Sequence, residues 1–134
     1  MRPGKNHRKP GESSAIPALW LKATLEREAK REKMRIRILE QISSALTTLE
    51  KKYYWNEAYL FGSVAQKGKF RENSDIDIAI EGSNRLDHYA FTGDISEFLD
   101  IRVDVVLLEE CTFAESIKEK GLKWNRKTGF EDGS

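Results

Sequence analysis

The sequence predicts an α/β domain: a small mixed β-sheet flanked by helices, entered through a long N-terminal helix. Three observations point there. Leu39, Ile42, Leu46 and Leu49 repeat every three to four residues, with Ile38 and Ala45 widening the stripe, which is the period of an amphipathic helix. Asp75-Ile76-Asp77-Ile78-Ala79-Ile80 and Ile101-Arg102-Val103-Asp104-Val105-Val106-Leu107-Leu108 alternate with period two, as strands do. A third apolar run, Ala58-Tyr59-Leu60-Phe61, stops at Gly62-Ser63.

Taken in order, residues 1–14 hold Arg2, Lys5, Arg8 and Lys9 among Pro, Gly and Ser without apolar periodicity, and they are expected to be a disordered basic arm. A nucleic-acid contact through that arm is the less favoured reading, because short charge runs are usually solvated. Pro17 suits a first helical turn, and no Gly or Pro follows until Gly62. Residues 15–34 are accordingly expected to be a helical extension. A helix from Pro17 to Leu49 would be about 50 Å long, against the roughly 35–40 Å across a domain of this size. The charged stretch Glu26–Lys33 has almost nothing to bury, so the helix either breaks there or projects. Projection would leave Trp20, Leu21 and Leu25 as an apolar patch, for a partner or for the domain's own flank.

Tyr53, Tyr54 and Trp55 are expected on a half-buried rim of the core rather than as a base-stacking platform. After Gly82-Ser83-Asn84, residues Arg85 to Leu99 read as a helix interrupted near Thr92-Gly93. Thr112, with Glu115 three residues on, predicts a capping box for a helix ending at Gly121. Leu122-Lys123-Trp124 reads as a last short strand, and residues 126–134 as a flexible tail.

Composition narrows the chemistry. The 134 residues are 39% apolar and 34% charged, enough for one modest core. No run approaches the ~20 apolar residues of a membrane span, and no signal-peptide core follows the basic start. Cys111 is the single cysteine and His7 and His88 the two histidines. A disulfide framework, a thiol enzyme and a zinc site are therefore disfavoured, and a reducing cytoplasm is the expected setting. Net charge is +1 but unevenly placed. Residues 1–55 carry 13 Lys/Arg against 6 Asp/Glu, and residues 56–134 carry 10 against 16.

Chemistry concentrates in residues 61–77. Asp75 and Asp77 share one face of their strand, roughly 6.6 Å apart along the chain, while Ile76, Ile78 and Ile80 take the other. Two carboxylates on a hydrophobic strand repel unless a cation lies between them, and hard divalent ions favour such oxygen ligands. Upstream, Gly62 lets a backbone approach a ligand closely, and Ser63 can begin a short helix whose free N–H groups attract phosphate. Asp104, charged in the middle of an apolar strand, either faces the same site or merely pairs with Arg102 on an exposed sheet face.

Gly62-Ser63, a spacer, Asn73-Ser74 and then Asp75-x-Asp77 resemble the signature of the DNA polymerase β nucleotidyltransferase superfamily, and in particular its minimal nucleotidyltransferases. The resemblance covers about residues 35–125, with a spacer one residue longer than usual and Gly68 displaced with it. It implies a polymerase-β-type core in which Asp75, Asp77 and Asp104 bind two Mg²⁺ ions and are catalytic. Gly62 and Ser63 would hold the phosphates of ATP. Minimal members pair with HEPN-domain proteins, which implies a hetero-oligomer and AMP transfer to a hydroxyl of a HEPN-type toxin, an antitoxin role. With only about ten residues after Trp124, no acceptor-binding domain is expected to follow. A non-catalytic subunit retaining nucleotide or metal, and a free-standing enzyme for a small hydroxylated molecule, are the competing expectations.

Overall fold

The computed structural model describes residues 15–130, with side chains from Ala18 onward. Helix α1 runs Ala15–Leu49 without a break. At 1.5 Å per residue it is about 52 Å long. Of the two sequence expectations for Glu26–Lys33, projection is the outcome. Leu19 and Trp20 remain 80% and 66% exposed, and Leu21 and Leu25 are exposed with them. Burial begins near Arg35, and Ile38, Leu39, Ile42, Ala45, Leu46 and Leu49 form the buried stripe.

The remaining elements are β1 (Glu57–Phe61), a 3₁₀ turn (Gly62–Ala65), β2 (Ile76–Glu81), α2 (His88–Leu99), β3 (Val103–Leu107), a second 3₁₀ turn (Leu108–Glu110), α3 (Ala114–Lys120), β4 (Leu122–Asn125) and β5 (Gly129–Phe130). Strand order is β3-β2-β1-β4-β5. Strands β2 and β3 pair in parallel through the α2 crossover, and the other pairs are antiparallel, so the sheet is mixed.

Alternation along the strands sorts side chains to two faces. Leu60, Ile76, Ile78, Ile80, Val103 and Val105 join α1 and α2 in the main core, to which Ile42 and Leu46 of α1 and Phe91 and Ile95 of α2 also belong. Tyr59 and Ala79 point the other way and pack with Leu108 and Ile117, beneath α3. Asp77 and Asp104 share the register parity of that second face.

Three local expectations are corrected. Helix α2 is continuous through Thr92-Gly93. Asp87 caps it by accepting from the Ala90 N–H, and Gly93 costs only about 1 kcal/mol on a face with nothing to pack. The Thr112 capping box does not form; Phe113 occupies the N-cap of α3 with no side-chain cap bond. Residues 126–130, expected within a flexible tail, instead turn back as β5 against β4. Arg126 anchors that turn. Its Nη1 and Nη2 donate to the Asn56 and Trp55 carbonyls at 2.9 Å, its Nε lies 3.3 Å from Glu50, and its guanidinium lies over Trp55 and Trp124. The basic arm at residues 1–14 and residues 131–134 lie outside the described residues.

Tyr53 is half-buried, Tyr54 exposed and Trp55 buried edge-on to Phe91, as expected of a core rim. Among the described residues no helix is long and apolar enough to cross a membrane.

Candidate active site

The acids are brought together by strand register. Ile76 pairs with Val103 and Asp77 with Asp104, so the two carboxylates occupy one rung of the parallel β2–β3 ladder. Phe61, the last residue of β1, lies opposite Asp77 on its other side, and Gly62 follows directly. The end of β1 and the starts of β2 and β3 therefore converge. Asp75 lies one residue ahead of β2 and is exposed, while Asp77 is half-buried.

Gly62 is required there on two counts. Its φ is +74°, in the left-handed region that side chains disfavour, and an added Cβ would collide with Asp77 Oδ2. Ser63 and Val64 continue into the 3₁₀ turn, whose opening N–H groups have no intrahelical acceptor. The Ser63 hydroxyl is without a hydrogen-bond partner among the described residues.

Electrostatics identify Asp77 as the strained member. Burial raises its carboxyl above the ordinary aspartate value, and the charges of Asp104 and then Asp75 push it further. Neither Asp75 nor Asp77 has an ion-pair partner among the described residues. Asp104 does: Arg102 Nε lies 3.7 Å from its Oδ1, with the two side chains 76% and 48% exposed. A pair so long and so open to water contributes little, about 0–1 kcal/mol.

No ready-formed group of three or more His, Cys, Asp or Glu ligands exists among the described residues. The donors that are present nevertheless fit a hard divalent cation: carboxylates alone, mutually repulsive, with Asp77 left uncompensated. The arrangement can hold an oxygen-liganded ion against Asp77 and Asp104, with Asp75 within electrostatic reach, and a phosphate chain against Gly62 and Ser63.

Sequence reasoning missed two contributors. Arg35 is completely buried and ties α1 to the 3₁₀ turn. Its Nη1 donates to the Val64 carbonyl at 3.0 Å, while Nε and Nη2 grip Glu32 at 2.9 Å each. Only the i, i+3 spacing of Glu32 and Arg35 was visible in the sequence. The second is a hollow of about 170 Å³ beside Gly62, between the turn and α3, with Gln66, Phe113, Ser116 and Lys120 in its wall. Lys120 gives it a cation, and no motif flagged it.

A family profile described as polymerase beta, nucleotidyltransferase matches residues 40–123. No curated protein matches the chain. Among solved structures, a toxin-antitoxin crystal structure with AMP-PNP is 27% identical with a TM-score of 0.52, the match covering 60% of this chain and 70% of that one. A Sulfolobus solfataricus protein provisionally called a nucleotidyltransferase is 23% identical, with a TM-score of 0.50 and coverage of 74% and 90%. Another, provisionally called a minimal nucleotidyltransferase, is 24% identical, with a TM-score of 0.52 and coverage of 69% and 93%. At these identities the last two speak for the fold alone.

Proposed function

The chain belongs to the polymerase beta nucleotidyltransferase family, and from that premise we propose that it transfers AMP from ATP to a hydroxyl of a partner protein, a HEPN-type toxin, as the antitoxin of a pair. The observation that carries the transfer reading is the single rung holding Asp77 and Asp104, with Gly62 cleared of side chain beside it. AMP-PNP, an ATP analogue, accompanies the toxin-antitoxin relative, which supports an adenine nucleotide and a protein partner.

In this reading Gly62 and Ser63 hold the β- and γ-phosphates through backbone N–H groups and the serine hydroxyl. Asp75, Asp77 and Asp104 hold Mg²⁺, which when bound supplies charge neutralisation for the triphosphate and the transition state. Phosphoryl-type transfer asks a protein mainly for alignment and electrostatics. Asp104 accepts the hydrogen bond of the incoming hydroxyl and orients its oxygen toward the α-phosphorus. A new O–P bond forms there, the bond to the leaving pyrophosphate breaks, and the hydroxyl proton passes to solvent. The half-exposed position of Asp104 supports access by an acceptor from outside the chain. The free Cys111 thiol agrees with a cytoplasmic setting.

The test is incubation with α-labelled ATP, Mg²⁺ and the product of the adjacent reading frame. Label is expected on the partner with wild-type protein and not with Asp77→Asn. Tight association without label on any protein would replace transfer with a binding-only role, and label on a small molecule alone would remove the protein acceptor.

A further inference from the structure

Arg27, Lys30, Arg31, Lys33 and Arg37 of α1, with Glu72 from the loop ahead of β2, enclose a groove of about 490 Å³. Spacings of three, four, six and ten residues from Arg27 keep the cations along one side of the helix. They extend over about 15 Å of helix axis. Among the described residues none of the five forms an ion pair, and the Arg27 guanidinium meets only the Thr24 hydroxyl, at 3.3 Å. Of the acids within the stretch, Glu32 is already engaged. Its carboxyl is held below the ordinary glutamate value by the Arg35 hydrogen bond, and the charge of Lys67, arriving from the loop, adds to that. A run of charges on a helix is ordinarily a solvated face; here a loop bearing Glu72 closes over it, and five lining cations meet that one lining acid.

The lining decides between polyanions. Met34 is the one apolar side chain there, and no aromatic ring takes part. Protein interfaces centre on buried apolar or aromatic anchors, which this groove lacks. Base recognition in single strands uses stacking platforms, which it also lacks. Phosphate contacts need only cations at suitable intervals, and a duplex strand carries one phosphate per about 3.4 Å of axis, so about four fall along the groove. We propose that this groove binds the phosphate backbone of a nucleic acid, without regard to sequence. The surface is separate from the transfer reaction and does not depend on which acceptor that reaction uses.

The test is fluorescence anisotropy with a labelled single-stranded RNA of about 20 nucleotides and a duplex DNA of equal length, across a salt series starting near 50 mM. Both are expected to bind, with affinity falling steeply as salt rises. The triple variant Lys30→Ala/Arg31→Ala/Arg37→Ala removes three surface cations and is expected to weaken binding by at least about tenfold. It should also flatten the log–log salt slope by about 2 for the single strand, at about 0.7 per lost phosphate contact. Mg²⁺-dependent ATP binding, which reports the transfer site, should be unchanged in that variant, so failure here and failure of the transfer reading are separable. No binding near 50 mM salt, or equal binding by the variant, would overturn the proposal. Displacement of the RNA by polyglutamate at equal charge concentration would overturn it in favour of an acidic protein surface.

Discussion

The Cα of Gly62 and the carboxylate of Asp77 lie so close that a single added carbon on the glycine would occupy the space of Oδ2. The turn at the end of β1 and the first rung of β2 are thus fitted to one another, and the fit depends on one missing side chain.

Gly62→Ala is therefore expected to lose nucleotide binding and to destabilise the fold. A left-handed conformation costs alanine about 1–2 kcal/mol before any displacement of Asp77 is counted. Urea denaturation with and without ATP and Mg²⁺ measures both. A variant that binds ATP as the wild type does would show that the turn and the carboxylate are not coupled.

Asp77→Asn is expected to abolish transfer while the metal-free protein stays folded and melts at the same temperature or higher. Burial raises the Asp77 carboxyl, and the Asp104 and Asp75 charges add to it. A carboxyl raised in the folded state favours folding while protonated, and that advantage is lost as pH rises through its folded value. The gain from Asp77→Asn should accordingly be present near neutral pH and fade as pH falls through the raised folded value of the wild-type carboxyl toward the ordinary aspartate range. Melting in chelator near neutrality and in that range checks the sign. Clear destabilisation near neutrality would mean that Asp77 holds the fold through a partner.

ATP should require a divalent ion to bind, because the carboxylates of the site repel a bare triphosphate. Calorimetry is expected to show weak binding in excess chelator and a clear isotherm with millimolar Mg²⁺. The same additions should raise the melting temperature of the wild type and not of Asp77→Asn. Equal affinity with and without chelator would dismiss the carboxylate site.

Arg126→Ala is expected to destabilise the protein by about 2–4 kcal/mol. It strands the Trp55 and Asn56 carbonyls and removes a cation from two indole faces. Arg126→Lys should recover only part, since an ammonium cannot reproduce the two-pronged bond. Chemical denaturation decides it. A change below about 0.5 kcal/mol, as at an ordinary surface position, would show that β5 is not anchored there.

What the sequence made legible follows from period and local chemistry. The isoleucines at 76, 78 and 80 announced a strand buried on one face, and so located Asp77; the valines at 103 and 105 did the same for Asp104. That Asp77 and Asp104 share a rung was beyond reach, because register is set by the α2 crossover and by packing on both strands. Gly93 suggested an interruption, yet Phe91, Ile95 and Leu99 bury enough of α2 to override one glycine. Arg126 read as tail because its partners, Glu50, Trp55 and Trp124, are distant or uninformative in the chain. Arg35 looked like one more cation in a basic stretch, and its role exists only where α1 meets Val64. Helix α1 was readable from Ile38 onward by its apolar stripe. Before that, nothing distinguished a projecting rod from a broken one.

Among the described residues, strand β3 pairs only with β2 and stands at one end of the sheet. Its margin is partly covered, since His88 Nε2 lies 2.7 Å from the Val105 carbonyl, and Arg102 and Asp104 put opposite charges beside it. Charged side chains on such a margin discourage two copies from zipping together. Asp104 is thus placed to serve colloidal behaviour as well as the proposed chemistry. Replacing it with valine would join Val103, Val105 and Val106 into an uninterrupted β-branched run, the composition that aggregates. Loss of activity in such a variant would arrive mixed with precipitation, whereas Asp104→Asn keeps the edge polar and isolates the chemistry.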